Sequence, residues 1–122
     1  MSGDRIRQTF QRYTECVTAG DVAELVALYS DEASIQIPVS GPVHHGIDAI
    51  RSFYADNELA ERLEISGAIC IAADEAAVPL VAQLRRDGQL YELDVIDVAI
   101  FSSDGRFTSL RAFFDLEGIR PL

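Results

Sequence analysis

The sequence predicts an α+β fold, with three helices first and an antiparallel meander of long strands after them. Three observations carry this. In the first half, apolar residues recur at helical spacing. From residue 63 onward they gather into long apolar-rich runs separated by short turn sequences. The length of 122 residues suits one domain, 1–122, with a single core.

Residues 4–19 read as the first helix, with Ile6, Phe10, Tyr13 and Val17 on one stripe. Gly20 can end it. Asp21 can cap the next helix, and Glu24 three residues on completes a capping box. That second helix carries Leu25, Val26, Leu28 and Tyr29 and stops around residues 30–31. A short strand over 33–37 follows and is cut by Pro38. Residues 38–46, PVSGPVHHG, read as a loop, and 47–57 as a third helix with Ile47, Ile50, Phe53 and Tyr54 facing inward. Strands are expected over 63–72, 76–86, 89–101 and 107–116. The intervening AADE, DG and SSDG carry hairpin turn chemistry.

Composition narrows the function. Hydrophobic residues make up 48% and charged residues 25%, as in folded soluble domains rather than disordered chains. Twenty acidic against ten basic residues give a net charge of −10. Such a surface repels phosphate backbones and anionic headgroups, so neither nucleic acid nor a membrane is an expected partner. Every basic residue is Arg. With no Lys there is no Schiff-base chemistry, PLP attachment or P-loop lysine, and no cofactor is expected. Cys16 and Cys70 match no metal spacing and lie in apolar contexts, which reads as buried reduced thiols in a cytoplasmic protein. The start, MSGDRIRQTF, carries no signal-peptide pattern, and no apolar run is long enough to span a bilayer.

The segment 93–101, LDVIDVAIF, is the most informative. In a strand, alternate residues share a face. Asp94 then lies with Glu92 on a face that can be wet, whereas Asp97 lies with Tyr91, Leu93, Val95, Ala99 and Phe101 on an apolar one. A lone carboxylate there loses hydration, which raises its pKa. If neutral, it is an O–H donor aimed into an apolar space and able to stabilise an oxyanion. A buried Asp paired with an Arg or a backbone N–H fits the same pattern. Tyr13 on the first helix reads either as a core tyrosine or as a second donor. Tyr29 and Tyr54, also inward, could extend a hydrogen-bonded chain.

Taken in order, QRYTECVTAGDVAELVALYSDEA, HGIDAIRSFYA, LDVIDVAIF and GRFTSLRAFF resemble the bacterial Δ5-3-ketosteroid isomerases. These sit within the larger nuclear-transport-factor-2-like and SnoaL-like family. The resemblance runs over nearly the whole chain. It implies a conical α+β barrel, with three N-terminal helices packed in a curved antiparallel sheet, and a homodimer. The implied reaction moves a C=C bond from Δ5 to Δ4 in a 3-oxosteroid. A base removes a proton at C4, a dienolate forms, and the proton returns at C6. By position, Tyr13 matches the oxyanion-hole tyrosine and Asp97 the protonated aspartic acid. A carboxylic acid kept neutral is that family's own device, so the resemblance supplies this role for Asp97 as much as the strand pattern does. Tyr29 and Tyr54 match supporting tyrosines, and Phe53, Leu110 and Phe114 match positions lining the steroid pocket.

One departure stands out. The family's base is an aspartate just before a proline at the end of the first strand. Here that position is Ile37, next to Pro38, with Gln36 before it. Glu32, which follows the second helix, is the candidate for a relocated base, since a glutamate in an apolar pocket suits proton transfer near neutral pH. The plainer reading makes Asp31 and Glu32 solvated turn residues. His44 and His45 lack a third ligand at usable spacing, so no metal is expected. Arg85, Arg86, Asp87 and Gly88 read as a solvated hairpin tip. The functional expectation is a steroid Δ-isomerase acting on a small apolar substrate. The alternatives are a silent steroid- or lipid-like binder and a polyketide cyclase-like reaction on the same scaffold.

Overall fold

The computed structural model describes residues 2–122. Helix α1 spans Gly3–Ala19, with the Ser2 hydroxyl accepting from the Arg5 N–H. Gly20, at φ +68°, ends it in the left-handed conformation that glycine adopts without strain. Helix α2 is short, Val22–Val26, and is capped by the Asp21 carboxylate on the Glu24 N–H. It stops before Tyr29 because the Leu28 carbonyl is taken by the Phe107 N–H at 2.8 Å. Strand β1 therefore begins at Tyr29 and runs to Gln36, so Tyr29 is a strand residue and not a helical one. Strand β2 is the pair His44–His45, inside the expected loop, and α3 spans Ile47–Asp56.

The remaining strands are β3 (Arg62–Ile65), β4 (Cys70–Ala72), β5 (Glu75–Arg86), β6 (Gln89–Phe101), β7 (Phe107–Phe113) and β8 (Arg120–Pro121). The expected single strand over 63–72 is split. Four residues, 66–69, stand opposite only Val78 and Pro79 of β5, and Pro79 has no N–H to offer the ladder. Strand β7 ends early because the Asp115 carboxylate accepts from the Glu117 N–H and turns the chain into a short 3₁₀ segment, Leu116–Gly118. The β5–β6 hairpin closes at Asp87 and Gly88, both at positive φ, as a two-residue turn with the twist of its strands demands.

The sheet order is β2-β1-β7-β6-β5-β3, with β4 on β5 and β8 on β6. All pairings are antiparallel except β1 on β7, which is parallel. The curved sheet is thus mixed, with one pairing that an unbroken meander would not contain. Its inner face packs on the helices. It presents Ala76, Val78, Leu80 and Ala82 from β5, and Leu93, Val95, Asp97, Ala99 and Phe101 from β6. From α1, Ile6, Phe10, Tyr13, Cys16 and Val17 close the core. Cys16 is buried, but Cys70 is exposed on the outward side of the short strand β4. No helix among the described residues is long and apolar enough to cross a membrane.

Candidate active site

Each polar side chain at the heart of the fold is placed by an apolar pattern. Asp97 occupies an inward position of β6, flanked across the ladder by Val78 on β5 and Ala112 on β7. It is 2% exposed. Burial pushes its carboxyl up from 3.8 to about 7. Among the described residues no side-chain oxygen is sealed away without a partner. Asp97 forms no ion pair and lines the cavity, so its carboxyl faces that space rather than an arginine or a backbone N–H.

Tyr13 reaches the same region from α1, Tyr54 from α3 and Tyr29 from β1. The Phe107 ring packs against Tyr13 and Tyr29, with centroids at 5.7 and 5.1 Å, and fixes both. The Tyr29 and Tyr54 hydroxyls lie 2.5 Å apart, and Tyr13 is the other tyrosine close enough to influence Tyr54. Desolvation, followed by the neighbouring hydroxyls and Asp97, holds Tyr13 and Tyr29 well above an ordinary phenol. Tyr54 is raised as well, again chiefly by burial. All three therefore keep their protons through the physiological range.

The cavity in front of this cluster has a volume of about 800 Å³. Tyr13, Tyr54 and Asp97 stand at one end, and Ile37, Phe53 and Phe114 are among its apolar walls. Leu110 does not line it. That side chain is fully buried in the core. Tyr29 also lies off the lining and is linked to it by its hydroxyl contact with Tyr54.

Glu32 is not in the cavity, which corrects the relocated-base expectation. Between Tyr29 and Ser34 strand β1 advances five residues while β7 advances two, Phe107 to Ser109, so β1 bulges outward there. Asp31 and Glu32 ride on the bulge and are exposed. The Glu32 side chain is 88% exposed and its carboxylate meets His45 Nε2 at 3.4 Å. His44 stacks on Phe53 with centroids 5.0 Å apart.

Residues 10–110 match the family model of the SnoaL-like domain. The chain belongs to the SnoaL-like family. A steroid Δ-isomerase of Nocardioides simplex is 31% identical over 109 residues, covering 89% of both chains. Among solved structures, the epoxide hydrolase/cyclase-like enzyme SalBIII, from pyran ring formation in the polyether salinomycin, shares the fold. It superposes with a TM-score of 0.85 at 25% identity, over 98% of this chain and 97% of the other.

Within this SnoaL-like domain the chemistry available is donation. A neutral carboxyl and a tyrosine hydroxyl in a cavity with apolar walls can stabilise negative charge developing on a bound oxygen. The wall at Ile37 cannot accept a proton. The rim adds residues to which the sequence reading gives no part in the site: Asn57, Glu58, Glu61, Leu116, and Arg85 and Arg86 of the hairpin tip. Parity would have found one of them, since Arg86 follows Ala82 and Leu84 on the even, inward side of β5.

Proposed function

We propose that this SnoaL-like protein acts on the ketone of a flat, apolar, steroid-like substrate and shifts a C=C bond from Δ5 to Δ4. The carbonyl oxygen is held by Tyr13 and protonated Asp97. The observation that carries this is Asp97 itself, a buried carboxyl with no charge partner, open to an apolar cavity beside a tyrosine hydroxyl. A developing dienolate charge favours the protonated carboxyl still further. The 31% identity to a steroid Δ-isomerase supports the substrate class. With Ile37 on the wall, water entering at the rim is the proton carrier, and turnover is slow by the factor a general base supplies, about 10²–10⁴.

Ile37 also favours a second reading, in which the cavity binds such a ligand without turning it over. A ring closure of the kind named for SalBIII fits less well, because it needs a second acid–base group and Asp97 is the one carboxyl at the inner end.

A continuous ultraviolet assay with a β,γ-unsaturated 3-oxosteroid tests the proposal. Enone formation above the buffer rate is expected, and Tyr13→Phe should lower it about tenfold, less than full loss of a donor because the Tyr54 hydroxyl stands next to it. Binding without enone formation would support the binder instead, and no binding would refute both. The homodimer implied by the resemblance is also part of this proposal. Ile96, Ile100 and Phe113 stand exposed together on the outer sheet face, where β6 and β7 pair. Light scattering should show a dimer that Ile100→Glu converts to a monomer. A wild-type monomer at micromolar concentration would rule this face out as a stable interface.

A further inference from the structure

The chain's arginines are almost all engaged. Arg7, Arg12, Arg51, Arg62, Arg85, Arg106 and Arg120 pair with carboxylates. Arg5 donates to the Asp104 carbonyl, and Arg111 stacks on Phe113. Among the described residues, Arg86 alone has no such partner, and Arg86 is on the cavity rim. In a chain of net charge −10, an uncommitted guanidinium at the mouth of the cavity calls for a physical account.

Its place in the ladder supplies one. Moving outward from Asp97, the inward rows of the β5–β6 hairpin are Val78 with Asp97, Leu80 with Val95, Ala82 with Leu93, Leu84 with Tyr91 and Arg86 with Gln89. The path is apolar over its middle, with a proton donor at one end and a fixed positive charge at the other. Eight residues separate Val78 from Arg86, about 26 Å of strand. A bare fused-ring ketone held at Asp97 leaves the outer part of that path empty. The other rim charges do not fill the role. Arg85 is spent on Glu61, Nε to Oε2 at 3.1 Å, while Glu58 is acidic and makes no ion pair with Arg86.

We propose that Arg86 receives a carboxylate at the end of the substrate remote from the ketone, so that the preferred ligand is a steroid-like ketone with an acidic side chain. The planar guanidinium fork matches a carboxylate. The intervening apolar rows match the hydrocarbon between. This rests on the ketone end being held at Tyr13 and Asp97.

The test is equilibrium binding at low salt of a 3-oxosteroid whose side chain ends in a carboxylate, and of its methyl ester. The ligands are titrated into the wild type, Arg86→Gln and Glu58→Gln. The wild type should bind the acid about tenfold more tightly than the ester, a preference that added salt weakens. Arg86→Gln should abolish the preference and leave ester binding unchanged. Glu58→Gln should enlarge it by removing a like charge from the rim. Equal binding of acid and ester by the wild type, or equal weakening of both by Arg86→Gln, would overturn the inference alone. Failure of both ligands to bind at all would overturn the ketone-holding reading and this inference with it.

Discussion

Ile37→Asp should raise the isomerisation rate of a Δ5-3-oxosteroid by about 10²–10⁴. Ile37 lies on the cavity wall, between the end of β1 at Gln36 and Pro38. The oxyanion side of the site is already assembled by Tyr13 and Asp97, and what the wall lacks is a group to carry the proton. A carboxylate placed among Phe53, Phe114 and Ala112 loses hydration, so its pKa rises toward the range in which a base works best at neutral pH. Its charge also helps Asp97 keep its proton. The variant's pH–rate profile should then be a bell, rising as the new base ionises and falling as Asp97 does. Steady-state assays of the two proteins decide the matter. An unchanged rate in a folded variant that still binds the steroid would mean that the reacting carbon does not face residue 37.

Loss of Asp97 should cost about 10²–10³ in kcat, read most easily as Asp97→Ala in the Ile37→Asp background. The wild-type rate should fall as pH rises through about 7, where the carboxyl ionises. A carboxylate donates no hydrogen bond and repels the dienolate. The same group makes stability depend on pH, with a definite sign. In the unfolded chain Asp97 loses its proton near 3.8, whereas in the fold it holds the proton until about 7. Between those values the native state binds more protons than the unfolded one, so stability falls as pH rises and levels off above about 7. Asp97→Asn removes this dependence. Denaturant melts should show the variant gaining on the wild type from pH 4 to pH 7 and keeping that gain above it. Parallel stability curves across that range would show that Asp97 titrates normally.

Much of this was legible in the residues, and the failures have local causes. The β5–β6 hairpin follows from alternation and an Asp-Gly turn, and β6 matches its expected bounds of 89–101. Asp97 follows from the same alternation, because β6 is regular along its length. Tyr29 reads as helical from its neighbours because its strand partner, Phe107, lies far along the chain and no local pattern announces that pairing. The parallel β1–β7 contact was hidden for the same reason. Glu32 tests parity more sharply. Counting back from Ser34 and Gln36 puts it on the outer face, and the bulge keeps it outside. Reach and proximity to a pocket did not outweigh that geometry. Arg86 sat in plain sight on the inward parity of β5, but its hairpin sequence reads as a solvated tip until the rows leading to it are followed.

The Tyr29–Tyr54 contact has one further consequence, which comes from counting hydrogens. The two hydroxyls bring two, and their mutual contact uses one. Tyr29 does not touch the cavity, and stranding a buried hydroxyl hydrogen there costs about 1–3 kcal/mol, so Tyr29 donates and the spare hydrogen sits on Tyr54, which does line the cavity. Tyr13 and protonated Asp97 bring one each. A carbonyl oxygen has two lone pairs, so Tyr13 and Asp97 meet the demand and the Tyr54 hydrogen is held in reserve. Once Asp97 ionises, only the two tyrosine hydrogens remain.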